Sequence, residues 1–231
     1  MDEGDNTMVT IALLYPELLG TYGDGGNARV LAHRARARGI EATVVTVSTD
    51  DTLVDADVYL LGGGEDGPQR FACEALRSSD FADRIEHGAT VLAVCAGLQI
   101  LGSTFCVEGD DAYQGLGIVD ATTTRGPRRA VGELRTAVNG TMLVGFENHG
   151  GRTSLGSAAP FGTVTSGVGN DGSVDGFVYR NVLATYAHGP VLALNPWLAD
   201  DLLSRALGIT LAPYRSLADD LYEQRCRAAV S

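Results

Sequence analysis

Apolar stretches of strand length alternate with helical segments along the first hundred residues. Continuous β-rich stretches are typical of strands buried on both faces, and they predict strands at residues 9–15, 42–47, 58–64 and 90–97. Between them, apolar residues spaced three or four positions apart predict helices at residues 27–38, 69–86 and 98–105, the second with a break near residues 78–80. Strands that alternate with helices imply a parallel sheet covered on both faces.

The second half of the chain has a different pattern. From residue 115, short β-like stretches are separated by glycine, as in LGIVDATTT, AVGELRTAV, MLVGFENH and GFVYRNVLATYAHG. They predict antiparallel strands that either extend the first sheet or pack beside it, before two final helices at residues 196–207 and 216–229. The predicted fold is therefore α/β: a three-layer sandwich with a mostly parallel central sheet and antiparallel strands in its second half. We expect residues 9–231 to form a single domain after a flexible acidic N-terminus at residues 1–8.

Charge and hydropathy narrow the range of partners. The chain of 231 residues has a formal net charge of −12, which argues against nucleic acid as the main partner because phosphate binding requires a dense basic face. The one local exception is the basic group of Arg125, Arg128 and Arg129. No apolar stretch is long enough to cross a bilayer, and the acidic start is unlike a signal peptide. We therefore expect a cytoplasmic protein.

Four cysteines are scattered along the chain without any C-x-x-C spacing. Their scattered positions predict neither a zinc site nor a disulfide framework, and we expect no metal. Three of them, Cys73, Cys106 and Cys226, are expected to be small buried apolar side chains.

Cys95 differs from the other cysteines because it lies between a predicted strand and a predicted helix. Ala93 and Gly97, two residues before and after it, are small enough for a strained strand-to-helix turn of the nucleophile-elbow type. Such a turn would present the sulfur at a helix N-terminus, where the backbone N–H groups favour thiolate. The alternative is a buried cysteine that ends a core strand.

The glycines at residues 62–64 end the preceding predicted strand. Their backbone could lie beside the cysteine turn and offer an N–H group to a developing oxyanion, with the N–H of Ala96 as a second donor. Three glycines alone would indicate a flexible turn. Together with Cys95, they describe one site.

Five motifs resemble a known family. CAGLQ at residues 95–99, the GGG turn and YAHGP at residues 186–190 resemble the class I glutamine amidotransferases of the cobyric acid synthase type. FENHGGRT at residues 146–153 and GDGGN at residues 23–27 are most similar to the glutaminase subunits of two-subunit lipid II isoglutaminyl synthases. The resemblance extends from about residue 9 to residue 207 and implies the class I glutamine amidotransferase fold.

The resemblance also implies roles for individual residues. They are Cys95 as nucleophile, His188 as base, Gly64 and Ala96 as oxyanion donors, and Gln99 and Arg129 in substrate binding, with Arg129 matching a segment of the type R-x-x-G-[DE]. L-Glutamine would be hydrolysed through a cysteine thioester without a cofactor. Ammonia would pass to a separate Mur-ligase-like, ATP-dependent subunit that amidates the D-glutamate of lipid II. In keeping with a separate ATP site, this chain contains no phosphate-binding loop of the type G-x-x-x-x-G-K-[ST].

Several alternatives remain open at this stage. The predicted strand VLATYAHG ends at His188, which is the preferred base, with His149 as the competitor. Many class I enzymes carry H-x-E, whereas Gly189 and Pro190 follow His188 here, so we expect a Cys-His dyad or a carboxylate from elsewhere such as Glu147.

Two further alternatives concern Arg129 and the function as a whole. Arg129 could instead be a solvated arginine paired with Glu133 or Asp120. The chain could also serve another synthase, as in cobyrinate amidation, or be a non-catalytic binding module. The presence of both Cys95 and His188 counts against the binding module.

Overall fold

A mostly parallel sheet forms the centre of the part of the chain described by the computed structural model, residues 7–106 and 112–228. Its strands, in spatial order, are β11 (Phe177–Tyr179), β12 (Val182–Thr185), β4 (Thr90–Val94), β3 (Val58–Leu61), β1 (Met8–Leu14) and β2 (Glu41–Val47). All neighbours pair in parallel except β11, which is antiparallel to β12. Every residue of β3, β4 and β12 is buried, as expected for strands covered on both faces.

Helices cover this sheet in two groups. The helices α1 (Gly26–Arg36), α5 (Val191–Leu194) and α6 (Pro196–Leu207) contact one another, and α2 (Asp66–Arg77) contacts both α3 (Phe81–Glu86) and α4 (Ala96–Leu101). The helix α7 (Leu217–Ala228) packs on α5, α6 and the second sheet. The longest helices within residues 7–106 and 112–228 contain 12 residues, fewer than a bilayer crossing requires.

A second sheet follows from the glycine-rich half of the chain. Its strands are β5 (Thr104–Cys106), β6 (Ala112–Gln114), β7 (Ala121–Val138), β8 (Thr141–Leu155), β9 (Gly162–Ser166) and β10 (Val174–Asp175). The long strands β7 and β8 form an antiparallel hairpin, with a register shift between Arg125 and Ala130. Both arrangements left open by the sequence therefore occur, since β11 and β12 extend the first sheet and β5 to β10 pack beside it.

The predicted fold class is confirmed, with two local corrections. The helix predicted at residues 98–105 is wrong beyond Leu101, because Gly102 adopts an extended backbone and Phe105 lies in β5, where pairing with β6 outweighs helical spacing. Cys226 is half-buried on the surface helix α7 rather than buried. Residues 1–6 of the predicted flexible N-terminus lie outside the described residues, and β1 begins at Met8.

Candidate active site

The carboxyl ends of four adjacent strands converge at one edge of the first sheet. In the order β12, β4, β3 and β1, these ends lead to His188, Cys95, the glycine turn at residues 62–64 and the loop that carries Asp24. Ligands of open α/β sheets bind at this edge. The topology alone therefore brings together residues that are far apart in the sequence.

Cys95 lies in the strained turn predicted between β4 and α4. Its φ of 52° and ψ of −103° are unusual for a residue with a side chain and cost on the order of 1–3 kcal/mol. The Cys95 N–H donates to the carbonyl of Thr185 at 3.0 Å, and the Gly97 N–H donates to that of Gly62 at 3.2 Å. A Cβ at Gly97 would lie 2.6 Å from Cβ of Leu61, so the turn requires glycine there.

The thiol of Cys95 is a weak acid in this site. Burial, and to a lesser extent the negative charge of Asp24, raise its pKa to about 12, while the Ala96 N–H and Arg129 act in the opposite direction. The expected thiolate is therefore wrong, because burial outweighs the effect of the Ala96 N–H group at the start of the six-residue helix α4. Ionisation of Cys95 requires a base that accepts its proton.

Alkylation should report this protonation state directly. Because iodoacetamide reacts with thiolate, we expect Cys95 at pH 8 to react on the order of 10³-fold more slowly than an ordinary thiol of pKa about 8.5. The rate should rise about tenfold per pH unit, since thiolate forms only as the pH approaches the raised pKa. Peptide mapping against glutathione as reference would measure it, and a rate that levels off near neutral pH would contradict the raised pKa.

His188 is fully buried behind the glycine turn. It lies three residues beyond the end of β12, so the strand does not reach it as predicted. Instead, a backbone bridge to Phe146 on β8 holds it in place. Its Nδ1 lies 3.0 Å from Oδ2 of Asp24, which assigns the proton to Nδ1 and leaves Nε2 as an acceptor.

Asp24 is the carboxylate that orients His188, and the sequence analysis did not identify it. Its Oδ2 also accepts the Gly63 N–H at 2.9 Å. A Cβ at Gly63 would lie 2.5 Å from Cε1 of His188, so glycine is required for the turn to pack against the imidazole. Among the described residues, Oδ1 of Asp24 and Nε2 of His188 are the buried side-chain oxygen and nitrogen atoms without a hydrogen-bond partner.

Glu147, the acid suggested from the sequence, orients a different histidine. It accepts hydrogen bonds from Nε2 of His149 at 3.1 Å and from the N–H groups of Val168 at 2.7 Å and Gly169 at 2.8 Å. Burial opposes the ionisation of Glu147, but these hydrogen bonds outweigh it and lower its pKa. Nδ1 of His149 is also occupied, by the carbonyl of Gly151 at 3.0 Å, so neither nitrogen of His149 is available as a base.

A cavity of about 380 Å³ opens beside Cys95, at the small end of the usual range for ligand sites. It is lined by five of the predicted site residues, Cys95, Ala96, Gly64, Gln99 and Arg129, and also by His149 and the half-buried Cys106, whose expected burial is therefore wrong. Fully buried His188 lies behind the lining rather than in it.

The predicted oxyanion donors and Gln99 differ in how they are held. The Ala96 N–H points toward the sulfur of Cys95, and Gly64 faces the same cavity across the turn. Gln99 belongs to a buried chain of hydrogen bonds, since it accepts from Nε2 of Gln69 at 2.9 Å and donates to Oη of Tyr186 at 3.1 Å. The wall that Gln99 forms is therefore rigid.

Arg129 projects from β7 over the mouth of the cavity. Its Nε donates to Oδ1 of Asn148 at 2.6 Å, and its Nη2 donates to Oη of Tyr22 at 3.0 Å and to the carbonyl of Asn148 at 3.3 Å. The alternative pairing of Arg129 with Glu133 or Asp120 is wrong. Glu133 pairs with Arg135, and Asp120 accepts from Ser157.

Within the described ranges, no group of three or more His, Cys, Asp or Glu side chains is arranged to hold a metal ion. The chemistry available at the site is that of a buried thiol, an oriented imidazole and backbone N–H donors. This combination suits nucleophilic attack on a carbonyl carbon.

Comparison with known proteins identifies close relatives. Residues 10–196 match the CobB/CobQ-like glutamine amidotransferase domain family. The GatD subunit of lipid II isoglutaminyl synthase (glutamine-hydrolyzing) from Staphylococcus aureus is 35% identical over 206 residues, covering 86% of this chain and 84% of the relative. The GatD subunit from Streptococcus pneumoniae is 34% identical over 209 residues, covering 86% and 80%. A solved glutamine amidotransferase structure, 21% identical, shares the fold with a TM-score of 0.57 over 85% of this chain and 98% of that one.

Proposed function

Because the chain belongs to the CobB/CobQ-like glutamine amidotransferase domain family, we propose that Cys95 and His188 hydrolyse L-glutamine as the glutaminase centre of a lipid II isoglutaminyl synthase. The chain is a glutamine-hydrolysing amidotransferase, as its family and its GatD relatives indicate. The observation that best supports the two residues is the buried Asp24–His188 pair, whose Nε2 has no hydrogen-bond partner and which follows β12, the strand next to the one that leads to Cys95.

The proposed reaction begins with transfer of the Cys95 proton to Nε2 of His188. The sulfur attacks the side-chain carboxamide carbon, and the N–H groups of Gly64 and Ala96 stabilise the oxyanion. His188 returns the proton to the amide nitrogen, the C–N bond breaks, and ammonia leaves a thioester on Cys95. Water then attacks the thioester with His188 as base, and the proton returns to sulfur as glutamate departs.

Asp24 is proposed as the positioning residue for His188. Its Oδ2 fixes Nδ1 as the protonated nitrogen, so that Nε2 faces the reaction with a free lone pair. It also stabilises the imidazolium formed after proton transfer.

Arg129 is proposed to bind the α-carboxylate of glutamine, and Gln99 to shape the wall against the substrate. Since a guanidinium binds a carboxylate in bidentate fashion, Arg129→Lys should lower kcat/KM for glutamine nearly as much as Arg129→Ala, by about 10- to 100-fold. Steady-state glutaminase kinetics would measure this, with Arg180→Lys on the opposite end of the sheet as the matched control. Two variants within about twofold of wild type would exclude this role.

We further propose that ammonia passes to a Mur-ligase-like, ATP-dependent subunit in a heterodimer that amidates the D-glutamate of lipid II. The GatD relatives are named as subunits of lipid II isoglutaminyl synthase (glutamine-hydrolyzing), and the sequence contains no phosphate-binding loop of the type G-x-x-x-x-G-K-[ST]. Use of ATP by the partner would make the complex cytoplasmic.

Two measurements test the proposal. The purified chain, alone and with any protein that co-purifies from the native host, should release glutamate and ammonia from L-glutamine in equal amounts. The co-purified complex should then amidate lipid II when given glutamine and ATP. If the active glutaminase co-purified with a different synthase, the ammonia acceptor would be the substrate of that synthase and not lipid II. No turnover of glutamine in either preparation would reject the function.

A further inference from the structure

Tyr22 bridges two opposite charges at the mouth of the active-site cavity. Its hydroxyl accepts a hydrogen bond from Nη2 of Arg129 at 3.0 Å and donates to Oε1 of Glu65 at 3.4 Å. Arg129 and Glu65 both line the cavity. A guanidinium and a carboxylate on two sides of a small cavity are complementary to the α-carboxylate and the α-ammonium of a free amino acid.

The guanidinium of Arg129 is not free to accept a carboxylate in its most favourable geometry. Its Nε and one proton of Nη2 are used by Asn148, and the remaining proton of Nη2 is used by Tyr22. A bidentate carboxylate on the Nη1 and Nη2 end needs that last proton. The Tyr22 hydroxyl therefore occupies half of the fork.

The ring of Tyr22 connects this hydroxyl to the catalytic base. Its centroid lies 4.5 Å from that of His188, and Tyr22 precedes Asp24 by two residues in the same loop. Gly23, between them, has a φ of 76°, a conformation that favours glycine. Displacement of the Tyr22 hydroxyl would therefore also affect the loop segment that contains Asp24, the residue that orients His188.

On these contacts, and resting on the proposed glutaminase function, we propose that Tyr22 is a latch that substrate displaces: the glutamine α-carboxylate takes its place on Arg129, and the α-ammonium takes its place on Glu65. The Tyr22 latch, meaning Tyr22 with Glu65 and Arg129, makes Glu65 a specificity-determining residue. The Tyr22 hydroxyl thus holds in place the two charged groups, Arg129 and Glu65, that would recognise the zwitterionic end of glutamine.

The test is calorimetric binding to the full-length chain carrying Cys95→Ser, which prevents turnover. Adding Tyr22→Phe removes the competing hydroxyl and keeps the ring, so the Kd for L-glutamine should fall about 3- to 10-fold. L-Glutaminamide, which lacks the carboxylate and can gain only the contact with Glu65, should show a smaller fall in Kd than L-glutamine. Tyr179→Phe, which removes another tyrosine hydroxyl bonded to a glutamate, is the matched control and should change neither Kd.

A second pair of ligands tests Glu65. Glu65→Gln should weaken L-glutamine about tenfold, and it should leave glutaramate, which lacks the α-ammonium, within about twofold. Weaker or unchanged glutamine binding in Tyr22→Phe, or equal losses for both ligands in Glu65→Gln, would overturn the latch. If Cys95→Ser bound no glutamine and the unaltered chain showed no turnover, the glutaminase proposal itself would fail.

Discussion

Replacement of Cys95 by serine is expected to slow the release of ammonia from glutamine by at least about 10⁴-fold. The serine hydroxyl is a weaker acid and a weaker nucleophile than the thiol. A coupled glutamate assay would measure kcat. Circular dichroism would establish that the fold is retained.

Cys226→Ser provides the matched control for this change. Cys226 is a half-buried cysteine on α7, away from the strand ends, so its replacement should alter kcat by less than about twofold. If Cys95→Ser retained more than about a tenth of the activity, Cys95 would not be the nucleophile. Labelling of Cys95 by a glutamine-mimicking diazoketone, mapped by peptide, gives an independent check.

Replacement of His188 by alanine is expected to lower kcat by about 10² to 10⁴-fold. The Cys95 thiol, whose pKa is raised by burial, cannot attack until a base removes its proton. Among the described residues, Nε2 of His188 is a buried nitrogen without a hydrogen-bond partner, which leaves it available as the acceptor. Glutaminase kinetics and thermal unfolding of the variant would separate loss of chemistry from loss of structure.

His149→Ala is the informative comparison, because His149 lines the cavity and has its own carboxylate, Glu147. Its two nitrogens are both occupied, so we expect a smaller kcat effect than for His188→Ala. Asp24→Asn should reproduce part of the His188 defect and shift the pH profile of kcat, since the amide no longer fixes Nδ1 as the protonated nitrogen. A larger loss of kcat in His149→Ala than in His188→Ala would indicate that His149, and not His188, is the base.

The sequence predicted those parts of the site that are encoded locally. Cys95 could be recognised because a strained strand-to-helix turn needs small residues at fixed offsets, here Ala93 and Gly97. Strand endings likewise placed the glycine turn at the same edge, because strands of a parallel sheet share a direction. The helix predicted through Phe105 is wrong beyond Leu101, since pairing of β5 with the next strand, β6, overrode the helical spacing.

Asp24 could not be predicted in the same way. No local pattern marks an acid in a loop after β1 as the partner of a histidine near the other end of the chain. The available signal was the GDGGN motif at residues 23–27, whose single carboxylate is that of Asp24. The family resemblance of this motif implied no role for that residue. Glu147, which the sequence suggested as a carboxylate for His188, orients His149 instead.

The protonation state of Cys95 also depends on the whole fold. A helix N-terminus favours thiolate, but its effect is a fraction of a charge near water, whereas complete burial removes the solvation of the anion. Burial cannot be judged from five residues around the cysteine. The loop of Asp24, the strand of Thr185 and the glycine turn together enclose it.

The Asp24–His188 hydrogen bond joins residues 164 positions apart in the chain. Contacts of such long range form late, because closing a large loop must precede any gain from the contact. A nascent or partly folded chain can therefore possess the Cys95 turn while lacking an oriented base. The base that accepts the Cys95 proton is therefore in place only once the fold is complete, and we expect the proposed glutaminase chemistry to begin at that point.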